Sequence, residues 1–212
     1  MLHREFFGSI LLLITIMTTS AQNTTALKKV ELTTNYGSMV VELYNETPLH
    51  RDNFIRLVTE NFYDSSEFHR IIKGFMIQGG GHRQGSSDAG YTLEAEIIPG
   101  MMHKRGALAA ARQGDAVNPQ KRSSGSQFYI VDGRVFTPGE LEMLEKRMGK
   151  SFSPEQMNTY TTLGGAPHLD DEYTVFGALV SGFDVLDKIA TAKTSRGDRP
   201  LETIWMKAKI IE

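Results

Sequence analysis

The sequence predicts a mainly β domain built as a small barrel. Three observations predict it: short strand-like runs recur along most of the chain, Gly- and Ser-rich loops separate them, and a strong helical stripe stands early among them. Many short strands with one early helix favour a barrel over a layered α/β sheet.

Val30–Thr34 and Met39–Tyr44 read as strands, apolar or β-branched residues alternating with polar ones. Between them, Asn35–Tyr36–Gly37–Ser38 supplies an Asn and a Gly for the positive φ angles of a tight hairpin. Thr47 is the expected N-cap of a helix that begins at Pro48. Phe54, Leu57, Val58 and Phe62 form its buried stripe, and Asn61 its stop. Further strands are expected at Phe68–Ile72, Phe75–Gln78, Thr92–Glu96, Ala107–Ala111 and Gln127–Val131. The loops Gly79–Gly90 and Gln113–Gly125 lie among them.

Residues 134–167 break this rhythm. Thr137–Pro138–Gly139–Glu140 and Ser153–Pro154–Glu155–Gln156 both have the form of a capping box. Leu141, Leu144 and Met148 share one face before Gly149, and Met157, Tyr160 and Leu163 follow before Gly164–Gly165. A helical hairpin inserted into a β domain is predicted. Tyr173–Val180 returns to strand, Phe183–Ala190 is a short helix and Ile204–Ile211 a closing strand.

Residues 1–21 have the form of a signal peptide. Arg4 lies in a short charged start, the run Ser9–Met17 is apolar but for Ser9 and Thr15, and Thr19 and Ala21 suit a signal-peptidase site. The run is short of the about 20 apolar residues of a membrane span. A retained anchor is the alternative to cleavage after Ala21. The remaining residues, 22–212, suit one domain. The net charge of −2 argues against nucleic-acid partners and polybasic membrane contact. The chain has no cysteine, so packing alone must stabilise it. An exported protein without disulfides fits a bacterial periplasm, with secretion the other destination.

The chemistry concentrates in two segments. In Phe68–Gly80, period-two alternation puts Arg70 on one face with Phe68 and Ile72. A cation among apolar residues is costly unless it is used. From spacing alone, the plainer account is an edge-strand arginine paired with a carboxylate. The same alternation separates Phe75 from Met76 and Gln78, so a bend is needed to bring these together. In Ser124–Ile130, Gln127 and Tyr129 alternate with Phe128 and Ile130. The histidines His3, His50, His69, His82, His103 and His168 are scattered without metal-ligand spacing, and no cofactor or metal is expected.

Phe-His-Arg at 68–70, Gly-Phe-Met-Ile-Gln-Gly-Gly at 74–80, Gly-Ser-Gln-Phe-Tyr-Ile at 125–130, Leu169–Asp170 and Thr174–Gly177 stand in one order. Together they resemble the cyclophilin signature, across Val30–Ile211. The resemblance implies a closed eight-stranded antiparallel barrel capped by two helices, and peptidyl-prolyl cis–trans isomerase activity. It implies Arg70 as the catalytic arginine, with Gln78 and Gln127 orienting it and the substrate backbone. Phe75, Met76, Tyr129 and Leu169 would receive the proline ring, Tyr173 stands at a frequent histidine position, and Ala111 and Arg112 would offer a backbone edge. The implied partners are proline-containing polypeptides, met by a monomer.

Three departures from the family pattern stand out. Tyr129 replaces a commoner phenylalanine, which predicts a more polar wall of the same shape. His168 stands where cyclosporin-sensitive members carry tryptophan, which predicts weak cyclosporin binding. The segment 134–167 replaces a short loop and is read either as packing or as a lid at the pocket mouth. A module that only binds proline segments, and a small-ligand carrier barrel, are the competing functions. Arg70 with Gln78 favours the enzyme, since pure binding has no use for a group aimed at a transition state.

Overall fold

Alternation along the strands resolves into a closed barrel in the computed structural model, which describes residues 26–81 and 88–212. The signal-peptide segment 1–21, most of the lead-in, His3, His82 and the middle of the Gly79–Gly90 loop lie outside the described residues. The strands are β1 (Lys28–Thr34), β2 (Gly37–Leu43), β3 (Ser66–Ile72), β4 (Met76–Gly80), β5 (Thr92–Leu93), β6 (Ala107–Ala110), β7 (Ser123–Ser124), β8 (Gln127–Val131), β9 (Val175–Ser181) and β10 (Trp205–Ile210). The helices are α1 (Pro48–Thr59), α2 (Pro138–Met148), α3 (Pro154–Thr162) and α4 (Phe183–Ala190), with a 3₁₀ turn at Pro167–Leu169. Eight strands close in the order β1-β10-β3-β4-β8-β6-β9-β2, while β5 and β7 pair apart from them. Closure leaves the barrel no free edge.

Strands β4, β6 and β8 are buried on both faces, which is why they read as nearly continuous apolar runs. Ile77, Leu108, Ala110, Phe128 and Ile130 point into the barrel core, with Phe54 and Leu57 of α1 and Leu186 and Ile189 of α4. Met76, Ala107, Ala109, Tyr129 and Val131 point outward into a second cluster that includes Ala166, Leu169 and Val175. Period two thus divides these strands between a structural core and the floor of a site.

Several local expectations are corrected. Gly37 alone of the first turn takes a positive φ, +127°; Asn35 does not, because the turn needs only one such residue next to β2. Thr47 makes no cap hydrogen bond, and its Oγ1 is buried with no partner among the described residues. The free N–H groups of Leu49 and His50 donate instead to the Glu96 carboxylate, at 3.0 and 2.9 Å, and His50 Nδ1 lies 2.7 Å from it. A carboxylate there satisfies two orphan donors and complements the helix dipole. The strand expected at Thr92–Glu96 ends at Leu93, which frees Glu96 for this role.

Both capping boxes form: Thr137 with Glu140, and Ser153 with Gln156. Gly149 closes α2 in the left-handed region at φ +66°. Leu141 and Tyr160 are fully buried, but Leu163 is exposed rather than continuing the face of Tyr160. Gly165 bridges to Lys104 and Arg134 where the helical segment rejoins the barrel. A Cβ at Gly165 would meet the His103 carbonyl and stand 2.6 Å from the Tyr160 ring, so only glycine permits this approach. Among the described residues, no helix is long and apolar enough to cross a membrane.

Candidate active site

Arg70 sits one residue beyond an irregularity in β3. The register between β3 and β4 shifts between Phe68 and Arg70, the mark of a β-bulge. Phe68 and Ile71 therefore both enter the barrel core, and Arg70 turns outward. Strict alternation had put Phe68 and Arg70 on one face; the extra residue separates them. Strand β10 pairs with β3 only at Ser66 and Glu67. Past that point the loop around Asp198 takes its place, and Ile71 N–H donates to the Asp198 carbonyl at 2.8 Å. Arg70 Nε lies 3.5 Å from Asp198 Oδ2, so the carboxylate partner foreseen for an edge arginine is present.

The bend required before β4 is the turn at Gly74, whose φ is +74°. Gly74 N–H donates to Asp132 Oδ2 at 2.7 Å, and the Asp132 and Gly133 N–H groups both donate to the Phe75 carbonyl at 3.1 Å. Asp132 thereby fixes Phe75 just outside the strand, on the side of Met76. Burial pushes the Asp132 carboxyl above its ordinary pKa, against the Gly74 N–H and Arg105.

Nine of the ten residues singled out in the sequence line one pocket of about 400 Å³. Arg70, Gln78, Phe75 and Met76 come from β3, β4 and the turn between them; Tyr129 comes from β8, and Ala111 and Arg112 follow β6. Leu169 and Tyr173 complete it from the 3₁₀ turn and the chain beyond it. The tenth, Gln127, lies just outside, accepting a hydrogen bond from Gln78 Nε2 at 3.2 Å. It lines a neighbouring groove of about 970 Å³ that shares Gln78, Ala111 and Arg112 with the pocket.

The two arginines differ in availability. The Arg112 side chain is 4% exposed, donates to the carbonyls of Glu172 and Gln113, pairs with Asp115 and lies over the Tyr173 ring at 4.4 Å. The Arg70 side chain is 43% exposed. Ala111 commits both backbone groups internally: its N–H donates to Gln127 at 3.0 Å, and its carbonyl accepts from Ser124 at 2.8 Å.

Tyr129 is buried, which pushes its hydroxyl well above the ordinary pKa of a phenol. That hydroxyl lies 3.0 Å from Nε2 of fully buried His103. It is engaged in the interior, which corrects the expectation of a more polar wall. The His168 ring lies beside Phe75, centroids 5.2 Å apart. Asp198, Asp132 and His103 escaped the sequence reading because each acts from a loop with no spacing signal.

A barrel of this topology with such a pocket on its outer face matches known proteins closely. Residues 29–209 match the family described as cyclophilin type peptidyl-prolyl cis-trans isomerase/CLD. The chain is 34% identical over 188 residues to peptidyl-prolyl cis-trans isomerase-like 1 of Gibberella zeae, covering 85% of this chain and 93% of that protein. It is 37% identical over 184 residues to a Streptococcus pyogenes protein whose name pairs a phosphatase with a peptidyl-prolyl cis-trans isomerase. That match covers 83% of this chain and only 37% of the longer relative. A Cryptosporidium parvum cyclophilin-type isomerase superposes with a TM-score of 0.66 at 26% identity, over 88% of this chain and 98% of that one. The chain belongs to the cyclophilin-type peptidyl-prolyl cis–trans isomerase family and is an enzyme of that class.

Proposed function

We propose that the chain accelerates rotation about X–Pro bonds in exported, unfolded or partly folded proteins, with Arg70 as the catalytic residue, and so assists their folding. The observation that carries this reading is the contrast between the two pocket arginines: Arg112 is tied up internally, while Arg70 presents a half-exposed guanidinium beside Phe75, Met76, Tyr129 and Leu169.

An X–Pro amide keeps partial double-bond character and isomerises unaided over tens to hundreds of seconds. No covalent bond breaks, so no nucleophile or proton relay is required. In the twisted transition state the amide loses resonance and the prolyl nitrogen becomes a pyramidal acceptor. A guanidinium N–H donated to that nitrogen is stronger there than in the planar ground state, and this difference lowers the barrier. Asp198 faces Nε, which leaves the terminal nitrogens for substrate. The apolar walls hold the proline ring while the preceding residue rotates, and Gln78 with Gln127 orients the peptide backbone. A planar fork suits this task better than an ammonium. Arg70→Lys is therefore expected to lose most of the acceleration of a cis X–Pro peptide; full activity in that variant would reject the role given to the guanidinium.

The export reading rests on residues 1–21, with cleavage after Ala21, a domain of residues 22–212 carrying the insertion 134–167, and a periplasmic or secreted monomer as product. Partners are proline-containing polypeptides rather than nucleic acid or membrane. The N-terminal sequence of the protein recovered outside the cytoplasm tests this: a start at Gln22 supports it, and a chain retained inside with Met1 rejects it.

A further inference from the structure

The Asp170 carboxylate is buried and gathers donors from two directions. His103 donates its backbone N–H to Oδ1 at 2.8 Å, and His103 Nδ1 lies 3.1 Å from the same oxygen. From helix α3, Tyr160 donates its hydroxyl to Oδ2 at 2.6 Å, and Gln156 its amide at 3.0 Å. An ionised carboxylate only accepts, so a neutral His103 ring carries its proton on Nδ1 and leaves Nε2 as the acceptor. The Tyr129 hydroxyl, 3.0 Å away, donates to that Nε2. The two rings are also stacked, centroids 6.0 Å apart and 17° from parallel. A hydrogen-bonded chain thus runs from α3 to the pocket wall through Tyr160, Asp170, His103 and Tyr129, each of them buried.

We propose that Tyr160, Asp170 and His103 are positioning residues, and that they make the helical segment 134–167 a brace for the pocket. The proposal rests on reading the pocket as the seat of the proline ring. A buried phenol needs an acceptor, and here the acceptor is held in one tautomer by Asp170. The Tyr129 ring is therefore held at its far end as well as by packing. Leu169, on the pocket wall, immediately precedes Asp170, so the same anchor holds it from the other side. In a dry interior such a network rigidifies only when every member is satisfied, and α3 supplies two of the four donors to the Asp170 carboxylate. The segment acts by staying in place rather than by opening and closing.

The test is a double-mutant cycle on the chain 22–212: Tyr160→Phe, Tyr129→Phe and both together, each assayed for kcat and KM on an X–Pro peptide. Each single change is expected to raise KM about two- to tenfold, the range of one hydrogen bond, with kcat nearly retained. The double variant is expected to match Tyr129→Phe alone, because the chain is already cut at the pocket. Additive effects, or a Tyr160→Phe that lowers thermal stability and leaves KM unchanged, would overturn the brace. If Tyr160→Phe does not fold, Gln156→Leu removes a donor to the same oxygen and is read by the same criteria. Met76→Ala separates the two claims, since it should raise KM whether or not the brace exists. An unchanged KM in Met76→Ala would overturn the proline seat, and the brace with it.

Discussion

Asp198 meets Arg70 and its neighbour: Arg70 Nε lies 3.5 Å from Asp198 Oδ2, and the N–H of the next residue, Ile71, donates to the Asp198 carbonyl at 2.8 Å. Asp198 holds φ at +64° in the tight turn that follows Ser195, so its carboxylate and carbonyl both face β3. The backbone contact sets where Arg70 starts, and the side-chain contact limits which way its guanidinium turns.

Asp198→Asn, which keeps a residue suited to the positive φ and removes the charge, should therefore impair catalysis more than stability. The pair is nearly half exposed on both sides, which makes it worth at most about 1 kcal/mol. The expected result is a fall in kcat/KM of about two- to fivefold with an unchanged urea midpoint. An unchanged kcat/KM would mean that pocket packing alone orients Arg70.

Glu96→Ala should do the reverse. It removes the acceptor for two N–H groups at the start of α1 and leaves buried His50 without its partner. A loss of about 1–3 kcal/mol in urea unfolding is expected. The kcat of the remaining folded enzyme should be retained, since Glu96 does not line the pocket.

Stability should fall as the pH drops below neutrality. Burial lowers the pKa of His50 from the ordinary 6.5, outweighing Glu96, which raises it. Burial likewise lowers His69, with Arg199 adding to the effect. Both rings stay neutral in the folded chain while the unfolded chain takes up protons, so the unfolded state binds more protons below pH 6.5. Stability is complete above that value and is lost as pH falls towards the folded pKa values. Urea midpoints measured from about pH 8 down to about pH 5 should decline, and His69→Leu should flatten the slope. A level profile in the unaltered chain would contradict the assignment of neutral buried rings.

Cyclosporin should inhibit weakly. His168 lies against Phe75, at the position where the resemblance implies a tryptophan in cyclosporin-sensitive members, and an imidazole offers less apolar area to a cyclic peptide. His168→Trp is expected to tighten inhibition by about tenfold or more, measured by titration of the peptide assay. Equal inhibition of both forms would place drug recognition elsewhere on the pocket.

Regular strands and local caps were legible in the sequence because their signals are short-range. Strand β8 runs over Gln127–Val131 as its alternation indicates, α4 spans Phe183–Ala190, and both capping boxes form where their residues stand. The ordered motifs contain most of the pocket residues, which fold together from segments as distant as Arg70 and Leu169. Counting by two failed at Phe68–Arg70, because a bulge adds a residue that leaves no compositional mark. Thr47 looked like a cap and Glu96 did not, since capping across 46 positions depends on the fold and not on neighbours. Asp198, Asp132 and His103 were unreadable for the same reason: each is a loop residue whose partner is chosen by closure of the barrel.

The central claim is that Arg70 stabilises the twisted amide. The most direct measurement is the rate of cis-to-trans conversion of a short X–Pro peptide by the chain 22–212 and by its Arg70→Ala variant, both confirmed folded by circular dichroism. A large acceleration that falls by about a hundredfold or more in the variant, mainly in kcat, is the predicted result. Retention of most of the acceleration by a folded Arg70→Ala chain would contradict the claim and move catalysis to the pocket walls.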